Sequence, residues 1–255
     1  MFEAVILAGG EKSDPLALQE GALNKSFISV QGHPLVGYVL SALAACPSIG
    51  KIIVVGPEEG LVGLQGRGHK FTPVAEKGSM LDNIEAGLKA ADPDTLCLLS
   101  TGDIPLVNPE ILENILALCA PYTADFYYPV ISGKSCTQRF PHTKRTCVRL
   151  KEGTFTGGNL TLIRPSWFHD NRNRLNTFIA YRKHPLKLFK IFPPWFIIKF
   201  LFHRLAIKDL ETHLSRVLDF TARAVPCSFV ELATDVDKPS DLEAVNRELA
   251  GKSGL

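Results

Sequence analysis

Ala4-Val5-Ile6-Leu7-Ala8-Gly9-Gly10, read as AVILAGG, sets the reading of the whole chain. An apolar run begins at the fourth residue and breaks at once into alanine and two glycines. Short apolar runs stopped by glycine read as buried β-strands. Glycines at the end of such a strand remove side chains where backbone N–H groups can approach an anion. Lys25, a loop further on, is placed to add positive charge to the same anion.

Working outward, Phe2–Leu7, Lys51–Val55, Phe71–Val74 and Thr95–Leu99 read as strands. Helical spacing separates them, over Pro34–Ala45, Ser79–Ala90 and Pro109–Cys119. Apolar strands alternating with amphipathic helices predict β-α-β units and a mostly parallel sheet. The second half predicts short strands at Asp125–Val130, Thr146–Leu150 and Leu160–Ile163, plausibly antiparallel. A helical stretch from about Asn176 to Phe220 follows, then a last strand at Val225–Leu232. A final helix is announced by Lys238-Pro239-Ser240-Asp241, with proline near its first turn. The expectation is one domain over residues 1–255, with a helical insertion at about 171–220.

The six cysteines have no C-x-x-C spacing, so neither a zinc site nor a disulfide framework is indicated. With no signal-peptide pattern at the N-terminus, a reduced, cytoplasmic protein is expected. The net charge of +2 conceals an asymmetry. Nine Lys and Arg and no Asp or Glu lie between Arg172 and Lys208, leaving 19 basic against 26 acidic residues elsewhere. Such a block faces an anionic partner, either a membrane surface or a phosphorylated substrate.

Ligands of open α/β sheets bind at the carboxyl ends of the strands. Collected there are Ala8-Gly9-Gly10, Asp103 in Ser100–Leu106, and Asp235-Val236-Asp237. Each has a plain alternative: a tight turn, an idle loop carboxylate, and helix caps, while Lys25 alone reads as a solvated lysine. Together they form a glycine cradle beside three carboxylates. That arrangement would repel phosphate without a divalent cation, and Mg²⁺ is held by one or two carboxylates plus substrate phosphates.

Leu7–Gly10 (LAGG), Asn24–Leu35 (NKSFISVQGHPL), Gly102–Leu106 (GDIPL) and Asp235–Leu242 (DVDKPSDL) resemble the MobA-like NTP transferases, over residues 1–163 and 225–250. The resemblance implies a Rossmann-like GT-A α/β fold and transfer of NMP from an NTP to a phosphorylated small molecule, with release of pyrophosphate. It also implies that Leu7, Ala8, Gly9, Gly10 and Lys25 hold the triphosphate, and that Gly78, Ser79 and Asn83 meet base and ribose. Asp103 would be the main Mg²⁺ ligand, with Asp235 or Asp237 the second. Gly157, Gly158 and Asn159 would contact the acceptor. One feature departs from the family pattern GG-x-S-x-R-M-G. Here the loop reads Glu11-Lys12-Ser13-Asp14-Pro15, with Asp14 roughly where the arginine is expected and Lys12 as its substitute, a point charge without the bidentate fork.

Two rival readings remain open in the sequence. The D-x-D form of Asp235-Val236-Asp237 fits a GT-A glycosyltransferase using a nucleotide-sugar. A degenerate nucleotide-binding module could instead dock on membranes through the basic block, where Arg182, Lys183, Lys187, Lys190 and Lys199 flank Trp195, Phe196, Phe200 and Phe202. The longest apolar piece, Trp195–Leu205, has eight apolar residues of eleven, against about twenty for a spanning helix. Peripheral contact through 172–208 is therefore the only membrane association expected, and nucleic acid is not an expected partner.

Overall fold

The computed structural model describes residues 1–11, 13–141, 143, 145–182 and 192–252, apart from the side chains of 177–182 and 252. Lys12, Lys183, Lys187, Lys190 and the side chain of Arg182 lie outside the described residues.

The opening apolar run is β1 (Phe2–Leu7), with a small hairpin of β2 (Ser29–Val30) and β3 (His33–Pro34) in the connection that follows it. The main sheet contains β4 (Ile49–Gly56), β5 (Thr72–Ala75), β6 (Cys97–Thr101), β7 (Phe126–Ser132), β8 (Val148–Leu150), β9 (Gly153–Gly157), β10 (Leu160–Ile163) and β11 (Ala222–Cys227). Its order is β5-β4-β1-β6-β10-β7-β9-β8, with β11 paired to β7. β1 runs parallel to both β4 and β6, so Leu7 and Thr101 end side by side. β10 is antiparallel to β6 and to β7, and β9 is antiparallel to β7 and β8. The second-half strands are thus mostly antiparallel, as the sequence indicates.

Helices α1 (Pro15–Gln19), α2 (Leu35–Ala44), α3 (Glu58–Gly66), α4 (Met80–Lys89), α5 (Pro109–Cys119), α6 (Gly133–Arg139), α7 (Pro165–Arg182), α8 (Pro194–Leu201), α9 (Ile207–Leu218) and α10 (Pro239–Lys252) complete the described elements. Alternation along β1 explains the layering. Ala4 and Ile6 enter a core shared with α2 and α5, while Val5 enters a second core with α4, α7 and the end of α9. Both faces are covered, which is why the strand reads as an uninterrupted apolar run.

Helix starts follow local chemistry. The Asn108 side chain accepts from Ile111 N–H at 2.9 Å and Pro109 takes the first turn, so α5 matches its expected span. Ser79 caps α4 in a capping box with Asp82. Two expectations are corrected. Val225–Leu232 is not one strand: β11 ends at Cys227, opposite Ile131, and Val230–Ala233 forms a 3-10 turn where the β7 partner has run out. The helical excursion also begins earlier than expected, since α7 starts at Pro165 and continues through position 171.

Candidate active site

The glycine turn is held by backbone bonds at the carboxyl edge. Ala8 N–H donates to Val55 at 2.7 Å, and Leu7 C=O accepts from Gly102 N–H at 2.9 Å. The Ala8 carbonyl accepts from the buried Asn24 amide at 2.9 Å. Asn24 Oδ1 in turn accepts from Ser26 N–H at 2.9 Å and starts the 3-10 turn Lys25–Phe27. Asn24 therefore ties the lysine loop to the glycine turn, which places Lys25 beside it.

The two glycines are not equivalent. A Cβ at Gly9 would lie 2.7 Å from both Asn83 Nδ2 and Glu76 Oε2, whereas at Gly10 its nearest neighbour would be Asn24 at 3.4 Å. Close approach thus requires glycine at position 9 more than at position 10. Gly10 N–H donates to Glu76 Oε2 at 3.3 Å, so a carboxylate already sits against the turn that the sequence reads as an anion cradle. Glu76 follows β5 at the same sheet edge, where a search of strand ends for carboxylates would have found it.

The three candidate carboxylates assemble beside Lys25. Val236 N–H donates to the Asp103 carbonyl at 3.1 Å, which joins the loop after β6 to the loop before α10. Lys25 forms an ion pair with Asp237, and its Nζ stands 4.0 Å from Asp103 Oδ2. Asp235 is paired with Arg145, whose guanidinium also reaches the Asp235 carbonyl at 3.5 Å. Arg145, just before β8, had no local signal in the sequence. Capping of α10 falls to the buried Asp241, whose carboxylate accepts from Asp237 and Lys238 N–H groups at 3.2 and 3.1 Å. Asp235 and Asp237 are thereby free of that duty.

The electrostatics follow from three carboxylates facing two cations. Burial pushes the Asp103 carboxyl up to about 6, opposed by the Thr101 hydroxyl and Lys25 and reinforced by Asp235 and Asp237. Burial also raises Asp235, against the pull of Arg145. Burial opposes the charge on Asp237, but its bond to Lys25 prevails and lowers its pKa. Burial likewise works against the Lys25 ammonium, but Asp237, Asp103 and Asp14 outweigh it and hold its pKa above the ordinary lysine value.

Among the described residues no three His, Cys, Asp or Glu side chains are grouped to hold a metal ion by themselves. A Mg²⁺ bound largely by substrate phosphates needs only one or two protein carboxylates. The donor set fits that mode. Asp103 Oδ1 is buried with only the neighbouring Thr101 hydroxyl beside it, and a carboxylate oxygen so placed suits a cation.

The remaining expected residues are placed unequally. Asn83 is buried beneath the glycine turn, with Oδ1 accepting from Lys77 N–H at 2.5 Å. Ser79 is occupied in capping α4, while Gly78 faces open space. Asp14 caps α1 by accepting from Leu16 and Ala17 N–H groups. Gly158 N–H donates to Pro129 at 3.0 Å, and Asn159 N–H donates to Leu232 at 2.7 Å. The Asn159 carbonyl accepts from Thr101 N–H at 3.0 Å, so Gly157-Gly158-Asn159 reaches the same edge as Asp103.

The basic block is partly consumed internally. Arg172 pairs with Asp82 and Glu85 of α4, Arg174 with Asp219, and Lys199 with Asp209. On α8, Phe196 is buried, whereas Trp195, Ile198, Phe200 and Leu201, with Phe202 just beyond, are exposed. No described helix is long and apolar enough to cross a membrane.

Comparison with known proteins places this geometry. Residues 4–216 match the family model for the MobA-like NTP transferase domain. A hypothetical transferase from Thermus thermophilus superposes with a TM-score of 0.83 at 34% identity, covering 94% of this chain and 99% of that one. CMP:2-keto-3-deoxy-manno-octonic acid synthetase complexed with CTP shares the fold at TM-score 0.66 and 13% identity, over 99% and 100% of the two chains. Among curated proteins, a probable molybdenum cofactor guanylyltransferase from Nostoc sp. is 31% identical over 111 residues, 44% of this chain and 50% of that protein. The 2-C-methyl-D-erythritol 4-phosphate cytidylyltransferase of Clostridium acetobutylicum is 27% identical over 126 residues, 47% and 53% of the two. The chain spans about half or less of the length of the curated relatives it matches. With the glycine turn, lysine loop and carboxylates on one sheet edge, and a family model matched from residue 4 to residue 216, the chain belongs to the MobA-like NTP transferase family.

Proposed function

We propose that this chain transfers a nucleotidyl group from an NTP to a phosphorylated acceptor and releases pyrophosphate. The observation that supports it is the meeting of Lys25, Asp103, Asp235, Asp237 and Arg145 beside the glycine turn. An oxygen of the acceptor phosphate attacks the α-phosphorus. The bond from that phosphorus to the bridging β-phosphate oxygen breaks, and pyrophosphate leaves with the electron pair. A phosphate nucleophile is already ionised near neutral pH, so no side chain is needed as a strong base. Lys25 exchanges its pairing with Asp237 for the triphosphate, and Arg145, beside Asp235, offers a second cation.

Mg²⁺, held by Asp103 with Asp235 or Asp237, would supply neutralisation of the phosphate charge when bound. Glu76 must yield the Gly10 N–H for a phosphate to reach it, which makes triphosphate entry a competition between two anions.

The test is a thermal-shift screen of the four NTPs with Mg²⁺, followed by assay of pyrophosphate release with phosphorylated acceptors. A ligand at a hundred times its Kd stabilises by about 2.7 kcal/mol. Absence of a shift with every NTP would overturn the proposal. Consumption of a UDP- or GDP-sugar in place of an NTP would move the reading to glycosyl transfer.

A further inference from the structure

Beside the Gly157-Gly158-Asn159 segment lies a cavity that nucleotidyl transfer by itself does not use. It measures about 340 Å³ and sits between α9 and the sheet face formed by β7, β8, β9 and β11. Tyr128 and Val130 of β7, Phe155 and Gly157 of β9, and Leu210 and Leu214 of α9 line it. Glu211, a polar group in the lining, is spent on structure, since its Oε1 accepts from Ala224 N–H at 2.7 Å. The cavity opens to solvent past Tyr128 and Val148, both exposed, so a ligand can reach it. A volume of this size lies in the range of small-molecule sites.

Its position links it to the reaction. Gly157 forms part of the cavity wall and opens the Gly157-Gly158-Asn159 segment. A Cβ at Gly157 would fall 1.9 Å from the Tyr128 hydroxyl, so glycine lets the tyrosine lie across that edge. Two residues on, the Asn159 carbonyl accepts from Thr101 N–H, next to the Asp103 loop. At about 3.3 Å per extended residue, the path from cavity edge to that strand is roughly 7 Å. At the other side, Phe155 and Leu210 pack in one cluster with Phe196 of α8, the helix whose Trp195, Ile198 and Phe200 face outward.

We infer that the acceptor is an amphiphile, with its phosphate at the Asp103 edge and its aliphatic chain in the cavity beneath α9. This rests on the nucleotidyl-transfer reading above. The Gly157-to-Asn159 segment joins the two halves of the ligand site.

The test is calorimetric titration of the full chain, with Mg²⁺ present, with inorganic phosphate and with butyl, octyl and dodecyl phosphate below their micelle concentrations. Affinity should rise about three- to fourfold per methylene until the cavity is filled, then level off. Leu214→Trp, which fills the cavity from the helix, should flatten that dependence while leaving the NTP thermal shift intact. Ala224→Phe fills it from the strand side and serves if Leu214→Trp does not fold. No dependence on chain length in a wild-type protein that binds NTP overturns the inference. So does a dependence that persists unchanged in both filled variants. A dependence abolished by filling, in a protein that binds no NTP, would instead overturn the transferase reading and with it the acceptor role.

Discussion

Replacing Asp103 with asparagine should make the metal-free protein more stable while removing its activity. Asp103 has a side chain 15% exposed, with Asp235 and Asp237 nearby and Lys25 Nζ 4.0 Å away. Burial first, then the two neighbouring carboxylates, push its pKa from the ordinary 3.8 to about 6. The folded protein therefore holds this proton more tightly than the unfolded chain does. Stability is unaffected by Asp103 below the unfolded value, falls as pH rises between about 4 and 6, and stays reduced above. The cost is roughly 3 kcal/mol at about pH 8 and about half of that near pH 5. Asparagine keeps the shape and carries no charge, so Asp103→Asn should regain most of this at the higher pH. Urea denaturation in chelator at the two pH values measures it, with an unchanged slope confirming a comparison of like states. Pyrophosphate release should fall on the order of 10²–10³-fold. A variant no more stable than wild type near pH 8, or a gain that does not shrink toward pH 5, would refute the reasoning.

Other outcomes follow from the same geometry. Gly9→Ala should lower stability in urea denaturation by about 1 kcal/mol, because its Cβ would press on the buried Asn83 and on Glu76, while Gly10→Ala should be nearly neutral; equal effects at the two positions would contradict the close-approach explanation. Arg145→Ala should cost about 1.5–3 kcal/mol in urea denaturation by stranding Asp235. Adding Asp235→Ala should recover part of that loss, and a double-mutant cycle showing no coupling would remove the pair from the account. Trp195→Ser together with Phe202→Ser should reduce co-sedimentation with anionic vesicles at least about tenfold, given about 1.5–3 kcal/mol per buried aromatic side chain. Wild-type protein that stays in the supernatant at low salt would show that α8 does not face a bilayer.

Much of the fold was legible because its determinants are local. The AVILAGG run encodes a two-sided buried strand and its stop within seven residues, and Asn108-Pro109 encodes the start of α5 within two. Asp103, Lys25 and the Asp235-Val236-Asp237 triplet could be collected from the sequence because strand ends in such sheets point to one edge. Their partners could not. Arg145 and Asp235 lie 90 residues apart, and Gly10 and Glu76 lie 66 apart. No periodicity couples such positions; only the strand order sets them face to face. The same holds for Val225–Leu232, whose apolar run promised one strand. It is divided because β11 can remain a strand only while β7 supplies hydrogen-bond partners, and β7 ends at Ser132, one residue past the partner of Cys227. The cavity under α9 is likewise assembled from β7, β8, β9, β11 and α9, elements drawn from about a hundred residues of chain. Backbone preference and hydrophobic period act over a few residues and are written in the sequence. Pairing of distant charges and the space left between a helix and a sheet are decided by packing, which exists only once the chain has folded.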